Sequence, residues 1–261
     1  MKGKGYIEGM GQMPGGEYEN IVIDGAGSIE GDATIGQLVI NGSGKTKGKI
    51  KSEGIEINGI GKFEQQVQAE TIRTNGMGKF LADVEVEHLI VAGTAKMDAK
   101  VTGELAEVTG ALSVLGNVEF EEINVQGAIK VSGDMEAEKI ICDGITNVEG
   151  TMNGENIALG IRGTSKIKSL CGHDIRVNKK EKEITINLMY AIKGLFNSNV
   201  NTGGLTCEEI EGDNINIENT NAKIVRGSVV TIGDDCEILR VEYKDSLEVS
   251  PKAKIREKIK L

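Results

Sequence analysis

Apolar residues in this chain recur two apart, and the pairs return every seventeen residues. Gly25, Gly42, Gly59, Gly76, Gly93, Gly110, Gly127 and Gly144 serve as the fixed point of each period. Four residues before them stand Ile21, Leu38, Ile55, Ile72, Leu89, Ala106, Ile123 and Ile140, and two before them Ile23, Ile40, Ile57, Thr74, Val91, Val108, Val125 and Cys142. Four after come Ile29, Thr46, Phe63, Phe80, Met97, Val114, Val131 and Val148, and eight after Ala33, Ile50, Val67, Val84, Val101, Val118, Met135 and Met152. Successive side chains of a strand point to opposite faces, so alternation at period two predicts strands whose four columns point inward.

Self-similarity at a fixed period marks a solenoid, and a seventeen-residue unit is too short for helical repeats of about 33 to 47 residues. Three short alternating segments per period, separated by Gly, Asn-Gly or Asp-Gly corners, predict a triangular coil of parallel strands. The expected fold class is therefore all-β, a parallel β-helix. At ~3.3 Å per residue a coil has a perimeter of ~56 Å, and each coil stacks ~4.8 Å above the last. Side-chain volume supports this register. Gly61 and Gly78 stand two residues before Phe63 and Phe80, whereas Leu112 and Ile129 stand beside the smaller Val114 and Val131, as filling a constant cross-section requires.

The repeat begins with a degenerate coil around Gly9 and stays regular to about residue 155. Beyond it the inward pairs continue at uneven spacing: Ile157/Leu159, Ile175/Val177, Ile184/Ile186, Ile215/Ile217, Val230/Ile232 and Leu247/Val249. These predict two segments, 1–155 and 156–261, the second interrupted by an insertion near 178–206. The insertion holds "LMYAIKGLF" at 188–196, read as a covering loop or a partner site.

Composition narrows the function. The 36 glycines, 2 prolines, 3% aromatics and absence of tryptophan suit repetitive β structure packed with aliphatic side chains. A net charge of −10 offers no global drive toward nucleic acid. No long apolar run or signal peptide is evident, so a soluble cytoplasmic protein is expected, and the spacing of Cys142, Cys171, Cys207 and Cys236 fits reduced thiols. The stretch "NGSGKTKG" at 41–48 resembles the end of a phosphate-binding loop, but Val39 occupies its first glycine position and the segment is one copy of the repeat.

Two outward columns carry charge. Lys45, Lys62, Lys79, Lys96 and Lys130 lie three after the corner glycine, and Glu53, Glu70, Glu87, Glu104, Glu121, Glu138 and Glu155 lie eleven after it. These stripes are read as a solvated face, with lateral Lys-to-Glu bundling or weak divalent-cation binding as the sharper alternatives. Repulsion between glutamates ~4.8 Å apart is about 0.9 kcal/mol per pair before screening, which burial of aliphatic side chains at roughly 1.5–3 kcal/mol each outweighs. His88 and His173 lack a partner at motif spacing. Cys142 takes a valine's place in a core column, and Cys236 is matched with Ala222 and Ala253. No catalytic, cofactor-binding or metal residue is therefore assigned, and no enzymatic activity is expected.

A solenoid leaves unpaired backbone groups on its terminal coils unless something covers them. The N-terminal stretch has no amphipathic capping helix, so Tyr6, Ile7, Met10 and Met13 are expected at one self-association surface, and Leu247, Val249 and Ile255 at the other. The basic tail "PKAKIREKIKL" is expected either to cap its coil or to touch an acidic membrane surface.

The glycine-cornered repeats, together with "IEGDNINIENTNAKIVRGSVVTIGDDCEI" (210–238) and the following "VEYKD", resemble the bactofilins, polymer-forming cytoskeletal proteins of bacteria, and in particular their longer Gram-positive members. The resemblance implies a right-handed β-helix that polymerises without nucleotide, end to end, into filaments lacking polarity. It also implies a scaffold that partners with itself, other bactofilin-like subunits or membrane-associated proteins. This chain departs from the shorter members in its length, its insertion and the lack of an apolar N-terminal anchor, which leaves direct membrane binding open. The alternatives are a hexapeptide-repeat acyltransferase, which shares fragments such as "ATIGQL" but repeats strict hexads and uses a histidine base, and a carbohydrate-binding β-helix.

Overall fold

A computed structural model describes residues 3–179 and 203–261. The chain is all-β, a parallel β-solenoid with about 17 residues per coil. Two compact units divide it, Met1–Glu119 and Phe120–Leu261.

In the first unit each coil contributes one long and one short strand. β1 (Gly3–Ile7) and β2 (Met10–Met13) form the first coil; β3 (Gly16–Ile23) with β4 (Ala26–Ile29) and β5 (Ala33–Ile40) with β6 (Ser43–Thr46) set the repeating pattern. It continues through β7 (Ile50–Ile57), β8 (Ile60–Phe63), β9 (Val67–Thr74), β10 (Met77–Phe80), β11 (Val84–Val91), β12 (Thr94–Met97), β13 (Val101–Val108) and β14 (Ala111–Val114). Long strands pair in parallel with long ones at an offset of seventeen, so Ile21 meets Leu38 and Leu38 meets Ile55.

Each eight-residue strand hides a corner. In β9, residues Val67 and Ala69 point in, and then Ile72 and Thr74 point in, so the alternation changes phase around Glu70. The ladder marks the same place: Ser52 pairs with Ala69 and Gly54 with Thr71, while the pair between them is missing. Two half-strands and one short strand thus make the three sides that the segment pattern predicts.

The core is aliphatic, with all four predicted columns buried from the second coil onward. Phe63 and Phe80 stack with ring centroids 4.7 Å apart and planes 7° from parallel. Space for the rings comes from Gly61 and Gly78, where a β-carbon would stand 3.2 and 3.1 Å from the respective ring edges. One corner carries a ladder of amides: Asn75 donates to Asn58 at 2.8 Å, Asn58 to Asn41 at 2.9 Å, and Asn41 to Asp24 at 2.6 Å.

The corner glycines do a different job from the one their dipeptides suggest. Among the described residues only Gly16, Asn219 and Asp235 have positive φ. Gly25, Gly42, Gly59, Gly76, Gly93 and Gly110 are required because a β-carbon on each would overlap the carbonyl oxygen of the corner glycine one coil below. Coil stacking, rather than turn conformation, selects glycine here.

The second unit contains β16 (Ala128–Val131), β17 (Met135–Ile161), β18 (Thr164–Lys179), β19 (Gly204–Ile217), β20 (Thr220–Ile232), β21 (Glu237–Val249) and β22 (Lys254–Lys260), with β15 (Val118–Val125) leading into it. The register becomes uneven between Val148 and Thr151. One inward ladder links Ile157, Ile175, Ile215, Val230 and Leu247, so five of the six predicted pairs belong to successive coils. Ile184/Ile186 and the 188–196 stretch lie outside the described residues; β18 and β19, which flank that part of the chain, pair directly.

Candidate functional site: the coil ends

At the N-terminal end, β1 pairs with β3 and β2 with β4, and neither has a strand on its other edge among the described residues. The core columns finish here at Gly5, Ile7, Met13 and Gly16. Ile7 is buried and Met13 half-buried, and Met13 fills the space that Gly5 leaves empty. Tyr6 and Met10 belong to other columns. Tyr6 pairs with Val22, and Met10 with Ala26, both outward positions, so their side chains (60% and 93% exposed) face sideways rather than along the stacking direction. Tyr6 donates its hydroxyl to Asp24, which lowers the Asp24 pKa and raises that of Tyr6.

At the C-terminal end, β21 holds two kinds of edge. Its first half is covered by β22, which pairs Ile238 with Ile255 and Val241 with Lys258. Its second half, Ser246 to Val249, pairs with β20 on one side and with nothing described on the other. Leu247, Val249 and Ile255 lie in the core columns but are half-buried, since no described strand covers them. The turn between β21 and β22 is tied down by Lys252, which donates to Asp234 at 2.7 Å and is the main cause of that carboxyl's lowered pKa.

The charged stripes turn out unlike one another. Lys45 and Lys62 both reach Glu64, at 3.0 and 2.8 Å, and their hydrogen bonds hold its pKa down to about 2, with the Lys62 bond the larger cause. Lys96 pairs with Asp98 at 3.5 Å and Lys130 with Glu149 at 3.2 Å. Most of the lysine column is therefore engaged on its own face. The seven glutamates all stand exposed at the corner where the ladder breaks, and none joins an ion pair among the described residues. Beside them runs a groove of about 700 Å³, with Lys51, Gln68 and Glu85 on one edge and Glu53, Glu70 and Glu87 on the other.

His88 is exposed and stacks between Thr71 and Leu105. His173 stands 2.7 Å from Asp213, and this contact raises its pKa, helped by Asp174. Burial pushes the Cys142 and Cys207 thiols up to about 12. The match of Cys236 to Ala222 needs correction: Ala222 lies between Cys207 and Ile238, one column away. The coil here is sixteen residues long, pairing Asn221 with Glu237 and Ala222 with Ile238, and Cys236 precedes Ile238 by two residues. No group of acidic, histidine and cysteine side chains that could hold a metal ion occurs among the described residues. Nor is any described helix long and apolar enough to cross a membrane.

No family model matches the chain, and no solved structure matches it. It is 36% identical over 102 residues to the uncharacterized protein YhbF of Bacillus subtilis (strain 168), a match covering 39% of this chain and 42% of that protein. It is 49% identical over 57 residues to the uncharacterized protein YhbE of the same bacterium, covering 22% of this chain and 24% of that one. The chain thus spans less than half the length of either relative.

Proposed function

We propose that this protein is a self-assembling scaffold of the bactofilin type, which extends by stacking one coil end on another and needs no nucleotide. The observation that carries this reading is the state of the two ends. Each presents a strand edge with unpaired backbone groups above apolar core columns, and no described element covers it. Such an edge is a template for another chain, and the hydrogen bonds it lacks are the ones that every interior coil makes. The bactofilin-like repeats and the 210–238 stretch support the same class.

The scaffold would work in the cytoplasm, with itself as first partner and with other bactofilin-like subunits or membrane-associated proteins as further ones. Lateral bundling through the charge stripes has less support, since most of the lysines it would use are already paired. Electron microscopy and pelleting of purified protein without nucleotide test the proposal. Filaments are expected from the unmodified chain and short particles from Ile7→Arg or Val249→Arg. Monodisperse short particles from the unmodified chain at every salt concentration would overturn it.

A further inference from the structure

We infer that the Asn-Gly corner of the first unit is a covalent modification site gated by coil stacking: Asn41, Asn58 and Asn75 convert to aspartate or isoaspartate only as their corner opens, and Asn75 converts first. This goes beyond the scaffold reading and does not depend on how the coil ends meet.

An asparagine followed by glycine is prone to an intramolecular reaction, because glycine has no side chain to shield its amide nitrogen. That nitrogen attacks the asparagine Cγ; an N–Cγ bond forms, the Cγ–Nδ2 bond breaks, and ammonia leaves with the proton of the glycine N–H. Water then opens the cyclic imide at either carbonyl, giving aspartate or isoaspartate. Three coils in succession place this dipeptide at one corner, as Asn41-Gly42, Asn58-Gly59 and Asn75-Gly76. All three asparagines are exposed, so water for the second step is at hand.

The folded corner withholds the nucleophile. Gly42, Gly59 and Gly76 donate their N–H to Ile23, Ile40 and Ile57 one coil below, at 3.0, 3.0 and 2.9 Å, and each of those carbonyls also accepts the neighbouring asparagine N–H. Attack therefore requires the corner to lift off the coil beneath it, a local opening. The side chains are held as well. Asp24 can only accept, so Asn41 donates to it and the direction of the ladder is set, with Asn58 donating to Asn41 and Asn75 to Asn58.

One end of this ladder is open. Asn41 and Asn58 each give one ladder bond and receive one, whereas the position one coil beyond Asn75 is Ala92, which has nothing to donate. A further contact of the Asn75 amide with Glu56 is 3.5 Å long, at the limit of a hydrogen bond. Turning toward the glycine thus costs Asn75 one ladder bond and each of its neighbours two, and a net hydrogen bond corresponds to roughly a fivefold difference in rate. The order is Asn75, then Asn58, then Asn41, whose bond to Asp24 is charge-assisted. Conversion also leaves a mark. The aspartate product at 75 sets an acceptor against Asn58 Oδ1, and the isoaspartate product lengthens the backbone at a corner where even a β-carbon on Gly76 would lie 2.2 Å from the Gly59 carbonyl oxygen.

The test incubates the full chain at mildly alkaline pH, folded and in urea, and follows each asparagine by peptide mapping in a mass spectrometer. Asn153-Gly154, the remaining Asn-Gly pair, lies within β17 away from this corner and is followed separately. In urea the three corner asparagines should convert at similar rates; in the folded chain all three should be slower by roughly tenfold or more, in the order 75, 58, 41. Ala92→Asn supplies the missing donor and should slow Asn75 roughly fivefold, whereas Asn58→Ala removes its ladder partner and should quicken it by about as much. Circular dichroism melts confine the comparison to folded protein, and Asn58→Ala decides alone where Ala92→Asn does not fold. Folded rates equal to those in urea overturn the gate. Equal folded rates at Asn41 and Asn75, or an Asn75 rate that the folded variants leave unmoved, overturn the ladder order.

Discussion

A side chain on Gly25 would collide with the carbonyl oxygen of Gly9 one coil below, and the amide of the next residue, Ala26, donates to that same oxygen at 2.8 Å. Substituting alanine at an interior corner such as Gly59 forces the coils apart and is expected to cost about 1–3 kcal/mol, as overpacking does. At Gly9 the same change should leave the stability of the isolated coil within about 0.5 kcal/mol. Urea melts of Gly59→Ala and Gly9→Ala, each in a Val249→Arg background that suppresses stacking, measure the difference.

Two buried hydroxyls define a second expectation. Thr46 and Thr74 occupy core columns, are fully buried, and have side-chain oxygens without a hydrogen-bond partner. Valine keeps their shape without the unsatisfied group, so Thr46→Val and Thr74→Val should each stabilise the protein by about 1 kcal/mol. A lower melting temperature for both variants would argue that these hydroxyls are bonded in solution.

The core was readable from sequence because inward positions must repeat at the coil length, and even the threonines at 46 and 74 fall in the expected columns. Errors arose where one residue changes the phase. Tyr6 and Met10 are large apolar residues near the start, yet each stands one position out of an inward column, as Val22 and Ala26 show. Cys236 stands two residues before Ile238, the partner of Ala222, and so belongs to the neighbouring inward column. The corner inside each long strand is legible in the odd spacing of five between inward residues such as Val67 and Ile72, with the exposed Glu70 between them.

Acid and base should act on different groups. Glu64 has its pKa lowered from 4.5 to about 2 by Lys62 and Lys45, so its pairing stabilises the fold above about pH 4.5 and is lost as pH falls toward 2. Glu64→Gln should flatten that acid limb in denaturation curves recorded across pH. His173 has a raised pKa, so its pairing with Asp213 contributes below pH 6.5 and disappears as pH rises through the folded value. Nuclear magnetic resonance titration should find His173 protonating above 6.5, and Asp213→Asn should bring it down.

Thiol chemistry gives a fourth check. With Cys142 and Cys207 buried and their pKa values near 12, the nucleophilic thiolate is scarce at neutral pH. A thiol reagent added to folded protein should modify the partly exposed Cys171 first, and the other three only as the protein unfolds. Rapid modification of Cys142 in the native state would place that coil in water.

Amide hydrogen exchange, compared between assembled protein and the monomeric Val249→Arg variant, addresses the stacking ends most directly. Protection in the assembled form should rise at Gly5–Ile7, at Ser246–Val249 and at residues 254–260, where edges now bare gain partners, while interior coils such as Ile55–Ile57 stay unchanged. Protection that appears instead along the lysine and glutamate faces, with both terminal strands exchanging as fast as in the monomer, would contradict the account.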